Sequence, residues 1–546
     1  MHSRHHSGGW REALAVSILL VGCGGDGDDS RSDGPTSQGT PVVHATGNAT
    51  AGRDVFRFEL FGTERFWTDA MRLQQGIVAA GVTPVQALGL GLSVDSDALA
   101  AAVDAPTLAA IAAELNTDLS PANAPILNNP ATTITLINAR AVIGIVPVDS
   151  NGDGSFDIAN GDKTGASCAL CHTRTDRSLP TPAAGGGIGK RLDGLASHNL
   201  NFGALIALAQ NSRAYYPVLQ LALTANGGAS IGRDPAQAGL TENSSEAEVD
   251  AYLNNPVAYP IGTFDDTFDG NGDPMHNSAL FRTDLAAPWG TDGTIARLDN
   301  FGNLVYTGLL DPTTLTTAGG RAFLMKLGGA AAGAEIADDY VAVLAATGVT
   351  GYPYVQAAAH PMPGTEEAPL GIRVDNTKLL DMNAYLNSLQ APAGVAGDAS
   401  AIARGRSLFR NGACVQCHNV DQSRAVPAFI VAMGTIFPGD MPAVLSPDRE
   451  GTLNAILNTP GSIFDDKMAV VNATLRGDIR GTAMPLLLDL ARKPNFLHDN
   501  SVPDLDSLLN PGAAGRTATA PHPFYFSDAE QGADMVEFLR SLSTGP

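Results

Sequence analysis

Two pentapeptides hold the residues whose spacing can do chemistry. Cys168-Ala-Leu-Cys171-His172 and Cys414-Val-Gln-Cys417-His418 both have the form C-x-x-C-H. That is the attachment signature of c-type haem. The two thiols add to the porphyrin vinyl groups as thioethers, and the adjacent imidazole is the proximal iron ligand. A zinc ribbon also uses paired C-x-x-C units. Here, however, 242 residues separate the pairs and a His follows each one directly, which argues against zinc. The expected cofactors are two covalently bound haems, with His172 and His418 as iron ligands.

The remaining cysteine, Cys23, ends an apolar run from Ala13 to Gly22 that follows Arg4 and Arg11. Ten residues are too few to span a bilayer and suit the core of an export signal. Leu20-Val21-Gly22-Cys23 resembles the lipobox of a bacterial lipoprotein, which implies cleavage before Cys23 and lipidation of its thiol. An exported, periplasm-facing or outer-membrane protein is expected, held to the membrane by that lipid. Haem attachment outside the cytoplasmic membrane agrees with export.

The 546 residues carry 56 acidic and 33 basic side chains, a formal charge of −23. No basic footprint for nucleic acid follows from that balance. Five cysteines in such a chain exclude a disulfide-dense scaffold.

The elements that must position the haem motifs read as mainly α: two tandem cytochrome c-type haem domains, a helical N-terminal extension and long loops. Residues 1–22 are the signal and 23–54 a Gly/Asp/Ser-rich tether. Residues 55–135 are the extension, with helical runs at Glu64–Gly81 and Asp97–Leu115. Residues 136–392 form the first haem domain and 398–546 the second, joined by the Ala391–Gly397 linker. Ala399–Phe409 predicts a helix with Ile402, Gly405, Leu408 and Phe409 on one face. Asp528–Leu542 predicts another, with a Ser527/Glu530 capping box and a buried stripe of Ala529, Ala533, Val536, Leu539 and Leu542. Ala384–Leu389 echoes Glu537–Leu542 at 153 residues, while the haem motifs lie 246 apart. An insertion of roughly 93 residues in the first domain follows.

Two haem domains in tandem resemble the bacterial di-haem cytochrome c peroxidase / MauG superfamily. Pro485 to Ser501, with Phe496-Leu-His498-Asp499-Asn-Ser, is similar to that family's P-T-L-R-N…P-Y-F-H-D-G-S segment. The extension and the H-D-N-S-V-P stretch are also similar to its rubber-oxygenase branch. The resemblance implies electron transfer coupled to peroxide reduction at the first haem. It leaves open a purely electron-carrying cytochrome and a dioxygenase acting through haem-bound dioxygen. The implied partners are a small electron-donor cytochrome or cupredoxin, and peroxide or dioxygen. By the same resemblance His498 lies in a haem pocket.

One departure from the peroxidase pattern matters. Where those enzymes place a Met ligand after H-D-G, this chain has Gly512. His522 and Met484 are the alternatives for the sixth position of the second haem, with an open site the third. Met ligation would raise the potential and bis-His ligation lower it. At the first haem, His198 could ligate iron or face solvent. Glu242, Glu246 and Glu248 are acid–base candidates by position in the chain only. Trp289 reads as a core or rim aromatic, with an inter-haem relay as the family's alternative.

Asp149-Ser-Asn151-Gly-Asp153-Gly154 resembles the first half of an EF-hand loop, with oxygen ligands at alternate positions. The bidentate Glu is replaced by Asn160, and Asp162 could substitute. Di-haem peroxidases bind calcium between their haems, which makes calcium a candidate ligand here and at Asp269-Gly-Asn271-Gly-Asp273; the alternative at each is an Asx-turn loop with solvated acids. Gly228–Gly232 matches G-x-S-x-G without the strand and helix a hydrolase needs.

Overall fold

The computed structural model describes residues 47–180, 185–219, 240–255, 277–281, 297–328, 330–358, 368–412, 487–494, 504–510 and 526–542. It also describes Cys414, Phe496, a few other isolated residues and some short strand pieces between 430 and 483. Helices dominate, and the described strands reach four residues at most. No helix among the described residues is long and apolar enough to cross a membrane.

Two helix pairs repeat one design. The Ala49–Phe58 helix packs on the Asn376–Ser388 helix, and Ala399–Asn411 packs on Ala529–Ser541. Each of the four starts at an Asn or Asp whose side chain accepts backbone N–H groups of the first turn: Asn48, Asp375, Asp398 and Asp528. In the first pair a Cβ on Gly52 would stand 1.8 Å from the carbonyl oxygen of Asp381. In the second a Cβ on Gly405 would stand 2.1 Å from that of Asp534. Phe56 meets Tyr385 at 5.9 Å between ring centroids, and Phe409 meets Phe538 at 5.6 Å. The sequence shows the same repeat, Gly-Arg-x-x-Phe at 52–56 and 405–409, then Asp-Met-x-x-aromatic-Leu at 381–386 and 534–539. Cys414 follows Gly405 by nine residues, whereas Cys168 follows Gly52 by 116.

That repeat changes the reading of the N-terminal third. The expected tether ends earlier, because a helix begins at Ala49. The expected extension shares one hydrophobic core with the first C-x-x-C-H region, from Val55 and Phe56 through Trp67 and Leu170 to Leu386. Phe66, Trp67, Phe202 and Tyr215 form a linked set of tilted and edge-on rings inside it. A smaller core joins Phe409, Leu490, Phe496, Leu509, Met535 and Phe538. Ala391–Gly397 has no regular structure; Ala391 is buried, and the Val395 N–H donates to the Arg540 carbonyl (2.9 Å).

Several predicted helices differ in detail. Glu64–Gly81 is broken: a π-turn covers Phe66–Ala70, Arg72 takes a left-handed φ of 61°, and a new helix covers Leu73–Ala80. Asp97–Leu115 splits into Ser96–Ala102 and Ala105–Glu114, because Asp104 caps a new start ahead of Pro106. The last helix is capped by Asp528 rather than by a Ser527/Glu530 box. Its buried face is Gly532, Met535, Phe538 and Leu539, while Ala529 and Ala533 are exposed.

Candidate haem site

The first C-x-x-C-H lies at the end of a β-hairpin. Ile145–Val148 pairs antiparallel with Lys163–Ala166, in register Ile145 to Ala166 and Val148 to Lys163. The chain then turns at Ser167 into a short helix, Ala169–His172. The Ser167 N–H donates to the Gly144 carbonyl (3.0 Å), and its hydroxyl to the Arg57 carbonyl (2.8 Å). The turn is thereby fastened to the hairpin and to the first helix. Gly144 has a φ of +81°, and a Cβ there would sit 2.2 Å from the Cα of Leu170. No larger residue allows that approach.

Cys168 and Cys171 are half-buried free thiols three residues apart on this turn. Burial pushes their pKa values up to about 11 and about 12, so both stay protonated at neutral pH. The Cys168 sulfur lies 3.2 Å from the Tyr306 hydroxyl and 3.9 Å from the Met382 sulfur. The ring Nδ1 of His172 lies 2.7 Å from the Ser278 carbonyl oxygen. A carbonyl only accepts, so Nδ1 carries the proton and Nε2 keeps its lone pair. Burial lowers the His172 pKa to about 4, which keeps the ring neutral. A haem fits this donor set: two unoxidised thiols on one turn, and next to them a neutral imidazole with its ligating nitrogen defined by a backbone hydrogen bond.

One buried carboxylate holds this turn to the helix pair. Asp193 accepts from the Thr173 hydroxyl (2.9 Å), the Arg57 Nε (2.5 Å) and the Tyr385 hydroxyl (2.6 Å). Thr173–Thr175 pairs antiparallel with Arg191–Asp193, placing Thr173 opposite Asp193. Ser278, Asp193, Arg57 and Tyr306 are contributions that motif reading misses, since they come from distant parts of the chain. Tyr385 lies in the repeated helix sequence, but nothing in that repeat shows its bond to Asp193.

His198 is brought to the C-x-x-C-H turn by its neighbours. The Ser197 N–H donates to the Cys171 carbonyl (2.8 Å) and the Gly194 N–H to that of His172 (2.8 Å). Burial, then Lys493 and Arg174, lowers the His198 pKa to about 3. Burial alone takes Lys493 to about 8.

Asp149, Asn151 and Asp153 occupy the loop between the two hairpin strands. The Asp149 carboxylate accepts from the N–H groups of Gly152 (2.6 Å), Asp153 (3.2 Å) and Gly154 (2.8 Å). Buried Asp162 closes the loop by accepting from Ser150 (2.9 Å) and Asp157 (2.8 Å). Among the described residues no three His, Cys, Asp or Glu side chains converge as a metal-holding group.

Glu246 accepts from the Ser212 N–H and Glu248 forms a capping box with Ser245, both at the start of one helix. Arg213 donates to the Glu242 carbonyl (2.9 Å). Trp289 is buried and lies 6.3 Å from Phe301 between ring centroids. At the second motif, Cys414 is half-buried against the smaller core. Cys23, Cys417, His418, Met484, His498, His522 and the Asp269–Asp273 loop lie outside the described residues.

No protein-family model matches this chain, and no curated protein matches it.

Proposed function

We propose that this chain is an exported, lipid-anchored di-haem c-type cytochrome that couples electron transfer to peroxide reduction at its first haem. The observation that carries the reading is the His172–Ser278 hydrogen bond beside two free thiols. It supports a proximal ligand already in the tautomer that iron needs. The twofold helix-pair repeat supports a second unit built on the same plan around Cys414, Cys417 and His418.

When bound, the haem supplies the redox-active iron at which peroxide is reduced to two waters with two electrons and two protons. The protein's own contributions are local. Cys168 and Cys171 anchor the group by addition of each S–H across a vinyl double bond, with nothing released. Ser278 orients His172, and Asp193 holds Thr173 next to it. His198, His522 or Met484 would supply a further ligand to the iron, and His498 would line a pocket. Calcium in the Asp149–Asp153 loop would stiffen the hairpin that leads into the first haem turn. Cys23 would carry the lipid, and a small cytochrome or cupredoxin would deliver electrons.

The test is a haemochrome assay on the purified chain, followed by carbon monoxide addition to the reduced protein. Two haems per chain and one iron open to carbon monoxide are expected, with peroxide turnover against a reduced donor cytochrome. Fewer than two covalent haems would overturn the cytochrome reading. Two haems with neither iron open would leave an electron carrier and overturn the peroxidase. Dioxygen uptake with an apolar substrate, without peroxide turnover, would point to the oxygenase.

A further inference from the structure

In a chain of net charge −23, one described region gathers cations that lack carboxylate partners. Arg174 and Arg177 line a pocket with His198, Asn199 and the glycine loop Gly185–Gly187. Lys493 stands close enough to His198 to act on it electrostatically, as does Arg174. Among the described residues, none of Arg174, Arg177 and Lys493 forms an ion pair. The carboxylate facing this cluster is Asp489, which is already bonded to Arg492 at 2.6 Å. Arg174 reaches only the Arg492 carbonyl, at 3.4 Å.

The pocket's donors are partly organised and partly unused. The Gly185 carbonyl accepts both Arg177 Nη2 (2.7 Å) and Asn199 Nδ2 (2.9 Å), which fixes the guanidinium at the pocket wall. The His198 Nδ1 is buried without a hydrogen-bond partner. A buried unpaired polar nitrogen is costly, and an anion that takes hydrogen bonds from charged donors offsets that cost strongly. The glycine loop lies too close to its neighbours for side chains: a Cβ on Gly186 would be 1.7 Å from the Leu92 carbonyl oxygen. The pocket is narrow and opens to solvent, so it can take the oxygen atoms of a small oxyanion at its mouth and not a whole porphyrin.

We infer that the mouth of this pocket binds one carboxylate, held by the guanidinium groups of Arg174 and Arg177 and by His198 Nδ1–H. Two sources share that chemistry. One is a small free carboxylate from solution. The other is a propionate of a haem carried by this chain, and only that source rests on the function proposed above.

The experiment uses the full chain as purified, in chloride-free buffer, with sodium acetate as the calorimetric probe. Arg174→Gln and Arg177→Gln are compared with Arg53→Gln, whose exposed side chain pairs with Asp54 elsewhere. Loss of one charge-assisted contact is expected to weaken acetate by about tenfold or more in either pocket variant and to leave Arg53→Gln unchanged. That result assigns the free-carboxylate source. If acetate does not bind, a shift of the haem propionate bending modes in resonance Raman spectra of both pocket variants assigns the haem source. Acetate binding that all three variants retain overturns the proposal. So does absence of both acetate binding and any Raman shift. A preparation without haem refutes the proposed function, while the acetate titration still decides the pocket.

Discussion

Gly52 presses its Cα against the backbone carbonyl of Asp381, leaving no room for a side chain at the crossing of the two helices. Gly405 repeats the arrangement on Asp534. Gly52→Val should force the Ala49–Phe58 helix off its partner and cost about 3 kcal/mol or more, the upper end for overpacking. Gly405→Val should do the same in the smaller core. Denaturant unfolding monitored by circular dichroism checks both, and a wild-type midpoint in either variant would contradict the crossing.

Asp193 joins the residue after His172 to both helices of the first pair. Its side chain is 2% exposed against 25% for Arg57. Asp193→Ala strips Arg57, Tyr385 and Thr173 of their shared acceptor. Breaking a buried pair from one side costs about 3–5 kcal/mol. The expected outcome is a loss of that size in chemical unfolding, with a loss at least as large for Arg57→Met, which leaves the more deeply buried Asp193 carboxylate without its cation.

Asp250 gives a pH test away from the first C-x-x-C-H turn. Burial, and after it the nearby Glu246, raises its pKa to about 6, while the Ser212 hydroxyl bond opposes the rise. A folded-state pKa above the unfolded value contributes stability that is full below about 3.9 and is lost as pH rises through about 6. Asp250→Asn cannot ionise. Its melting temperature relative to wild type should therefore climb between pH 4 and pH 7.5, then level off. A difference independent of pH would refute the assignment.

The Asp149–Asp162 loop tests whether a cation adds to a turn already closed by its own hydrogen bonds. Asp149→Ala removes the acceptor of three N–H groups and should destabilise the hairpin by about 1–2 kcal/mol, as loss of a cap does. Millimolar calcium should raise the wild-type melting temperature and leave Asp153→Ala unmoved, with chelator reversing the gain. Equal response of the two proteins would exclude a calcium site built on Asp153.

Part of the fold was legible in the sequence. C-x-x-C-H is a local pattern, so Cys168, Cys171 and His172 announce themselves. The helices at 399–411 and 529–541 follow from apolar periodicity, and Gly405 was readable as a packing residue. The rotational setting of the last helix was not. Alanines tolerate either exposure, so Ala529 and Ala533 could be placed inward on paper, whereas Met535 and Phe538 face Phe409. The start of the first unit was hidden for another reason. Its helix lies 116 residues ahead of Cys168, and the intervening segments have helical character of their own.

By itself, then, the sequence determined the two C-x-x-C-H motifs, the acidic balance of the chain and the helices of the second pair. Tertiary structure alone decided that Ser278 faces His172 across 106 residues and that Asp193 binds Arg57 across 136. It also decided that Arg174 and Lys493 share the neighbourhood of His198. The physical reason is range. Periodicity, capping and covalent motifs act within a few residues of the chain, whereas desolvation and hydrogen-bond geometry depend on neighbours that only long-range packing brings together.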